Sequence, residues 1–137
     1  MARALFADRQ AWSYARIGDH RAAQRALDDA DELFAAGGEV PGFAYWLNRT
    51  ELTVMRGRVL LVLGRYPDAV DLLAEAVAGY PDDRAREVAL YRSYLVEAVW
   101  RGGDHGTARQ LATTLTAAGS ARVAGRLAQV LALTCAP

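Results

Sequence analysis

Three glycine turns, Gly18, Gly64 and Gly103, are each followed five residues later by alanine, at Ala23, Ala69 and Ala108. Each turn has an apolar helical pattern on both sides, so the chain uses one helix–turn–helix hairpin three times, and internal repetition decides its fold. Glycine reaches the left-handed conformation that ends a helix at little steric cost. Alanine at the matching place in the second helix lets two antiparallel helices approach more closely than a bulky side chain would permit.

The apolar spacing supports this throughout. Ala23, Ala26, Leu27, Ala30 and Phe34 lie on one stripe of a 3.6-residue period, as do Ala69, Leu72, Leu73, Ala76, Val77 and Tyr80. Val88, Tyr91, Leu95, Ala98 and Val99 repeat it, then Ala108, Leu111, Ala112 and Leu115, then Val123, Leu127, Val130 and Leu131. No stretch alternates apolar and polar long enough to argue for a strand. Alanine occurs 28 times and leucine 17 times against one isoleucine, Ile17, which is the usage of a helical chain.

Breakers set the boundaries. Pro67 suits the first turn of a helix, and Pro81-Asp82-Asp83 closes one helix and offers carboxylates to cap the next. Asn48-Arg49-Thr50-Glu51 has capping-box spacing, and Ser120 is a cap for the final helix. The pattern predicts helices over 2–17, 20–36, 43–63, 67–80, 83–101, 105–118 and 121–133, with a loop at 37–42. They form one domain of three hairpins, at about 2–36, 43–80 and 83–118, and a C-terminal capping helix at about 121–133.

Composition removes several functions. With 137 residues, 16 arginines, no lysine and 16 acids, the chain is neutral and lacks the positive charge that nucleic acid demands. Its one cysteine, Cys135, excludes an internal disulfide or a multi-cysteine zinc site. The longest aliphatic run, residues 59–63, is far shorter than a membrane helix, and no signal-peptide pattern opens the chain, so a cytoplasmic protein is expected.

The segment "GRVLLVLGRYPDAVDLLAEAVAGYPDD" resembles a tetratricopeptide repeat. Gly57 matches the small residue of the first helix, Gly64 the turn and Tyr66 its aromatic; Ala69 and Ala76 match the small residues of the second helix, and Pro81 the terminal proline. The first hairpin keeps Ala11, Gly18, Ala23 and Ala30, whereas the third keeps Gly103 and Ala108 but has Val96 and Leu115 at small-residue places. The glycine turns stand 46 and 39 residues apart, against roughly 34 in the family. Segments such as "REVALYRSYLVEAVWRGGD" and "SARVAGRL" also look like the C-terminal helical-repeat region of actinobacterial helix-turn-helix transcriptional regulators. In that family a DNA-binding domain precedes the repeats; nothing in this sequence matches one, and no direct nucleic-acid binding is expected.

The resemblance implies an all-α, tetratricopeptide-like right-handed solenoid, with the first helix of each hairpin on the concave side. Residues off the packing stripes of those helices would meet a ligand: Asp8, Arg9, Trp12 and Arg16; Glu51, Val54, Arg58 and Leu61; and Ser93, Tyr94, Glu97, Trp100 and Arg101. Tryptophan and arginine are the types that dominate binding hot spots. Trp12 and Trp100 serve equally well as inter-helix core, and Arg16 and Arg101 suit helix C-termini with or without a ligand. Phe43, Tyr45 and Trp46 are read as covering the end of the first hairpin, with a pocket or subunit contact as the alternative. His20 and His105, at equivalent turn places, read as scaffold.

No catalytic signature is present. The two histidines lie 85 positions apart with no metal-ligand pattern, the three serines stand outside any nucleophile elbow, and the glycine pairs are too short to cradle a phosphate. The expected role is a non-catalytic module, without cofactor or metal, that binds a peptide, a protein segment or a second copy of itself as a homodimer. The alternative is a regulatory domain sensing a small molecule or signal peptide. The hairpin pattern makes its own prediction: Ala69→Leu should destabilise by roughly 1–3 kcal/mol through overpacking, measured by chemical denaturation, and a neutral result would contradict it.

Overall fold

A computed structural model describes residues 1–81, 84–115 and 121–135. Among them are seven α-helices and no strand: α1 (Ala2–Arg16), α2 (His20–Ala35), α3 (Arg49–Val62), α4 (Tyr66–Ala78), α5 (Ala85–Arg101), α6 (His105–Ala112) and α7 (Ala121–Thr134). The chain divides into two compact units, residues 1–65 and 66–137, and the boundary falls beside the Gly64 turn.

The three glycine turns share one geometry. Gly18, Gly64 and Gly103 have φ of 77°, 76° and 98°. In each, the glycine N–H donates three residues back, to Ala15, Leu61 or Trp100, and the next N–H five residues back, to Tyr14, Leu60 or Val99. This double closure satisfies carbonyls that a helix end leaves bare. Two of the turns continue identically. Asp19 Oδ1 accepts from Ala22 N at 2.9 Å and Asp104 Oδ1 from Thr107 N at 3.0 Å, so one Gly-Asp pair ends a helix and caps the next. The backbone hydrogen bond from Thr107 holds the exposed Asp104 carboxyl below its ordinary range.

In the first unit α1 lies against α2, and α3 packs on α1 and more lightly on α2. The inward stripes are small: Ala4, Ala11 and Ala23 are fully buried, with Ala26, Leu27 and Ala30 almost so. Leu5, Ala44, Leu47, Leu52 and Met55 form a cluster against which Phe34 and Trp46 pack. Arg56 ties α3 to Asp28 and Asp31 of α2, and Arg49 reaches Asp31 at 2.9 Å. Pairs this exposed contribute about 0–1 kcal/mol each.

In the second unit α5 is central and touches α4, α6 and α7. Ala89, Val123 and Leu127 join α5 to α7, with Leu90 and Leu115 packed against them. Ala69 and Ala108 are both fully buried.

Several boundaries differ from expectation. The helix predicted from 43 begins only at Arg49, after a 3₁₀ turn at Gly42–Ala44, because Asn48 is extended and its side chain accepts from Glu51 N. Here Trp46 is half-buried while Phe43 and Tyr45 are 61% and 81% exposed, so only Trp46 covers the core. The helix predicted to 118 ends at Ala112, where the Thr113 and Thr114 hydroxyls donate to the Gln110 and Leu111 carbonyls in place of the next turn. Leu131 lies outside the core, 39% exposed. The caps expected at Asp82, Asp83 and Ser120 fall outside the described residues.

No atom lies within 4 Å of a Cβ added at Gly18, so its substitution tests backbone conformation alone. Gly18→Ala should cost about 1–2 kcal/mol and Gly18→Asn less, read from denaturant midpoints. Equal stability of all three proteins would refute the left-handed turn.

Candidate functional site

The residues picked from the sequence fall into two clusters, one in each unit. In the first, Asp8 and Trp12 stand one turn apart on α1, and Arg58 of α3 lays its guanidinium over the Trp12 ring, 4.8 Å from the centroid. Trp12 and Arg58 are half-buried, but Asp8 is only 3% exposed. This corrects the expectation that Asp8 stands off the packing stripe. Ala4, Asp8, Ala11 and Ala15 are spaced at four, three and four residues and are all buried, so Asp8 belongs to the stripe itself.

A carboxylate taken out of water is penalised in its charged form. Burial pushes the Asp8 carboxyl up to about 6, against the opposing pull of Arg9 and Arg58. The cluster therefore combines an aromatic ring, a guanidinium and an acid that exchanges its proton close to neutral pH. Arg9 and Arg16 are exposed, and Glu51 sits in the first turn of α3, where the helix dipole favours an acid. Val54 and Leu61, 1% and 8% exposed, are core and unable to meet a ligand.

In the second unit the α5 residues are gathered by a side chain that sequence reasoning missed. Arg126 of α7 donates through Nε to Ser93 Oγ at 3.2 Å, bonds the Glu97 carboxylate, and lies 4.4 Å over the Tyr94 ring. Arg101 Nε donates to the other Glu97 oxygen at 2.7 Å. Burial alone would raise the Glu97 carboxyl, but hydrogen bonds and charge from Arg126 and Arg101 outweigh it and hold the group below its ordinary range. Glu97 is therefore a permanently charged clasp and does not exchange protons near neutral pH.

Ser93 is fully buried, in a stripe with Ala89 and Val96, and its expected exposure is likewise corrected. A signal for Arg126 did exist: it sits within the apolar run Val123, Leu127 and Val130, at three residues from Val123. A lone arginine on such a stripe needs an acid across the seam. Trp100 is half-buried, stacked on His105 at 4.1 Å, with Arg109 5.1 Å from its ring centroid. Arg109 Nε also donates to the Thr134 carbonyl at 3.2 Å, linking α6 to α7.

Each unit also has a hollow. Between α1 and α2 lies a groove of about 600 Å³, and beside α4 and α5 one of about 420 Å³ with Val77, Tyr80, Val88, Arg92 and Leu95 in its wall. Among the described residues no three histidine, cysteine, aspartate or glutamate side chains are grouped to hold a metal ion, and no helix is long and apolar enough to cross a membrane. Comparison with protein-family models, with curated proteins and with solved structures finds no match to the chain.

Asp8 generates a prediction with a definite sign. Its carboxyl titrates at 3.8 in a solvated chain and at about 6 when folded, so between those values the native state holds the extra proton. Stability then falls as pH rises through that window, and the whole penalty is present above it. Asp8→Asn should stabilise the protein at pH 8 by about 2–3 kcal/mol, since each tenfold change in proton affinity is worth about 1.4 kcal/mol, and leave it unchanged near pH 3. Denaturation across that range checks this, and destabilisation at pH 8 would contradict it.

Proposed function

We propose that the chain is a non-catalytic binding module of a regulatory pathway in the cytoplasm, holding a peptide or protein segment or a second copy of itself. In this reading its hairpins stack as a tetratricopeptide-like right-handed solenoid, α7 caps the stack, and no cofactor takes part. The observation that carries the reading is the Trp12–Arg58 pair beside buried Asp8. Burying an ionisable acid costs stability that a purely structural residue would not sacrifice, and such perturbed groups concentrate at functional sites. A half-exposed indole offers apolar area with little entropy to lose, and a guanidinium above it can engage a carboxylate at two points.

A small-molecule-sensing role is the second reading. It is supported by the hollow beside α4 and α5, whose volume suits a small ligand and whose apolar wall carries Arg92.

Selection of a displayed peptide library on the immobilised chain tests the first reading. Enriched peptides should lose about 30-fold in affinity on Trp12→Ala, the loss of one hot spot of about 2 kcal/mol, while circular dichroism keeps the same helix content. Enrichment of no peptide, or unfolding of Trp12→Ala, would count against it.

A further inference from the structure

We propose that the groove between α1 and α2 is a self-association surface, filled by the same groove of a second copy of this chain. The proposal deepens the self-association part of the function above and rests on it.

Two matched helix faces build this groove. α1 contributes Arg3, Phe6, Ala7 and Gln10, and α2 with its C-cap residue contributes Asp29, Glu32, Leu33 and Ala36, each set at offsets of three, four and seven residues. Those are the offsets of a helix face made to receive another helix. Phe6 is 62% exposed in the middle of it, next to small and aliphatic neighbours. At about 100° per residue, this face lies on the side of α1 away from Asp8 and Trp12, so the two surfaces do not compete.

Charge identifies the occupant. α2 carries two pairs of acids, at 28 and 29 and at 31 and 32. Asp28 and Asp31 are taken by arginines of α3, but among the described residues Asp29, Glu32 and Arg3 make no ion pair. One wall of the groove thus carries an uncommitted cation and the other two uncommitted anions, with an aromatic ring between them. A two-fold axis running along the groove lays α1 of each copy over α2 of the other at the same height. Arg3 of one copy then meets Asp29 and Glu32 of its mate, twice over, and both Phe6 rings fill the centre. A surface that carries its own complement is what an isologous dimer requires. A single foreign helix would need the opposite pattern across two walls and would satisfy only one copy of it.

Light scattering and sedimentation of the purified chain, from low micromolar to several hundred micromolar, test this. The wild type should dimerise, and Phe6→Ala, Arg3→Glu and Glu32→Arg should each weaken the dimer by about tenfold or more. Mixing Arg3→Glu with Glu32→Arg should restore a heterodimer, because each mutant supplies the charge the other lacks, at both contacts. A wild type that stays monomeric, a dimer indifferent to these substitutions, or a mixture that stays unpaired would overturn the assignment, as would a monomer that binds some other helix in the groove. Trp12→Ala should leave the dimer intact, which separates failure here from failure of peptide capture.

Discussion

The contact on which the rest depends is helix against helix across alanine. A fully buried alanine presents one methyl group, so two backbones can lie closer than leucine would allow, and dispersion contacts are made by the backbones themselves. Such a seam tolerates little error in register, and the turns supply the register. At Gly18 and Gly103 a left-handed glycine closes one helix while the following aspartate caps the next, which fixes where the second helix starts relative to the first. The alanine five residues beyond the glycine is then delivered to the seam, at Ala23 and at Ala108.

That tightness gives meaning to the polar residues found within it. Ser93 and Arg126 are reconciled with burial by one another and by Glu97, in a network where each charge has its opposite and the serine hydroxyl is used. A closed network of this kind specifies how α5 and α7 meet and leaves little free for a ligand. Asp8 is different in kind. It occupies an alanine place on α1, receives opposing charge from Arg9 and Arg58, and still has its proton affinity raised. An acid stands there beside a tryptophan and an arginine, and that contrast with Glu97 is the reason the first cluster, and not the second, carries the proposed binding role.

Much of this was legible from residue spacing. The stripes predicted seven helices and no strand, and the three glycines predicted the turns, because helix period and left-handed closure are local properties. The boundary at Asn48 was half legible: the capping spacing stood in the sequence, but the apolar residues at 43–47 look helical until the extended Asn48 interrupts them. The early end of α6 depends on threonine hydroxyls competing for carbonyls, which apolar periodicity does not report. For the site, taking the first helix of each hairpin puts Asp8 and Trp12 of α1 with Arg58 of α3, and these three lie together in the first unit, while the α5 residues belong to the second. Exposure was misjudged at Asp8, Ser93, Val54 and Leu61, since a short polar or aliphatic residue on a stripe is assigned inward or outward only by the helix packed against it. Arg126 escaped because its stripe was read from its apolar members alone.

At Asp8 the fold and the proposed function bear on one residue, because the same burial that places it in the α1 seam raises its carboxyl. The direct measurement is a carbon-13 NMR titration of the Asp8 side-chain carboxyl in the folded protein. A midpoint near 6 is expected, well above the 3.8 of a solvated aspartate. A midpoint at or below that solvated value would mean that the carboxylate is hydrated or fully paired, and that the cluster on α1 and α3 is an ordinary surface.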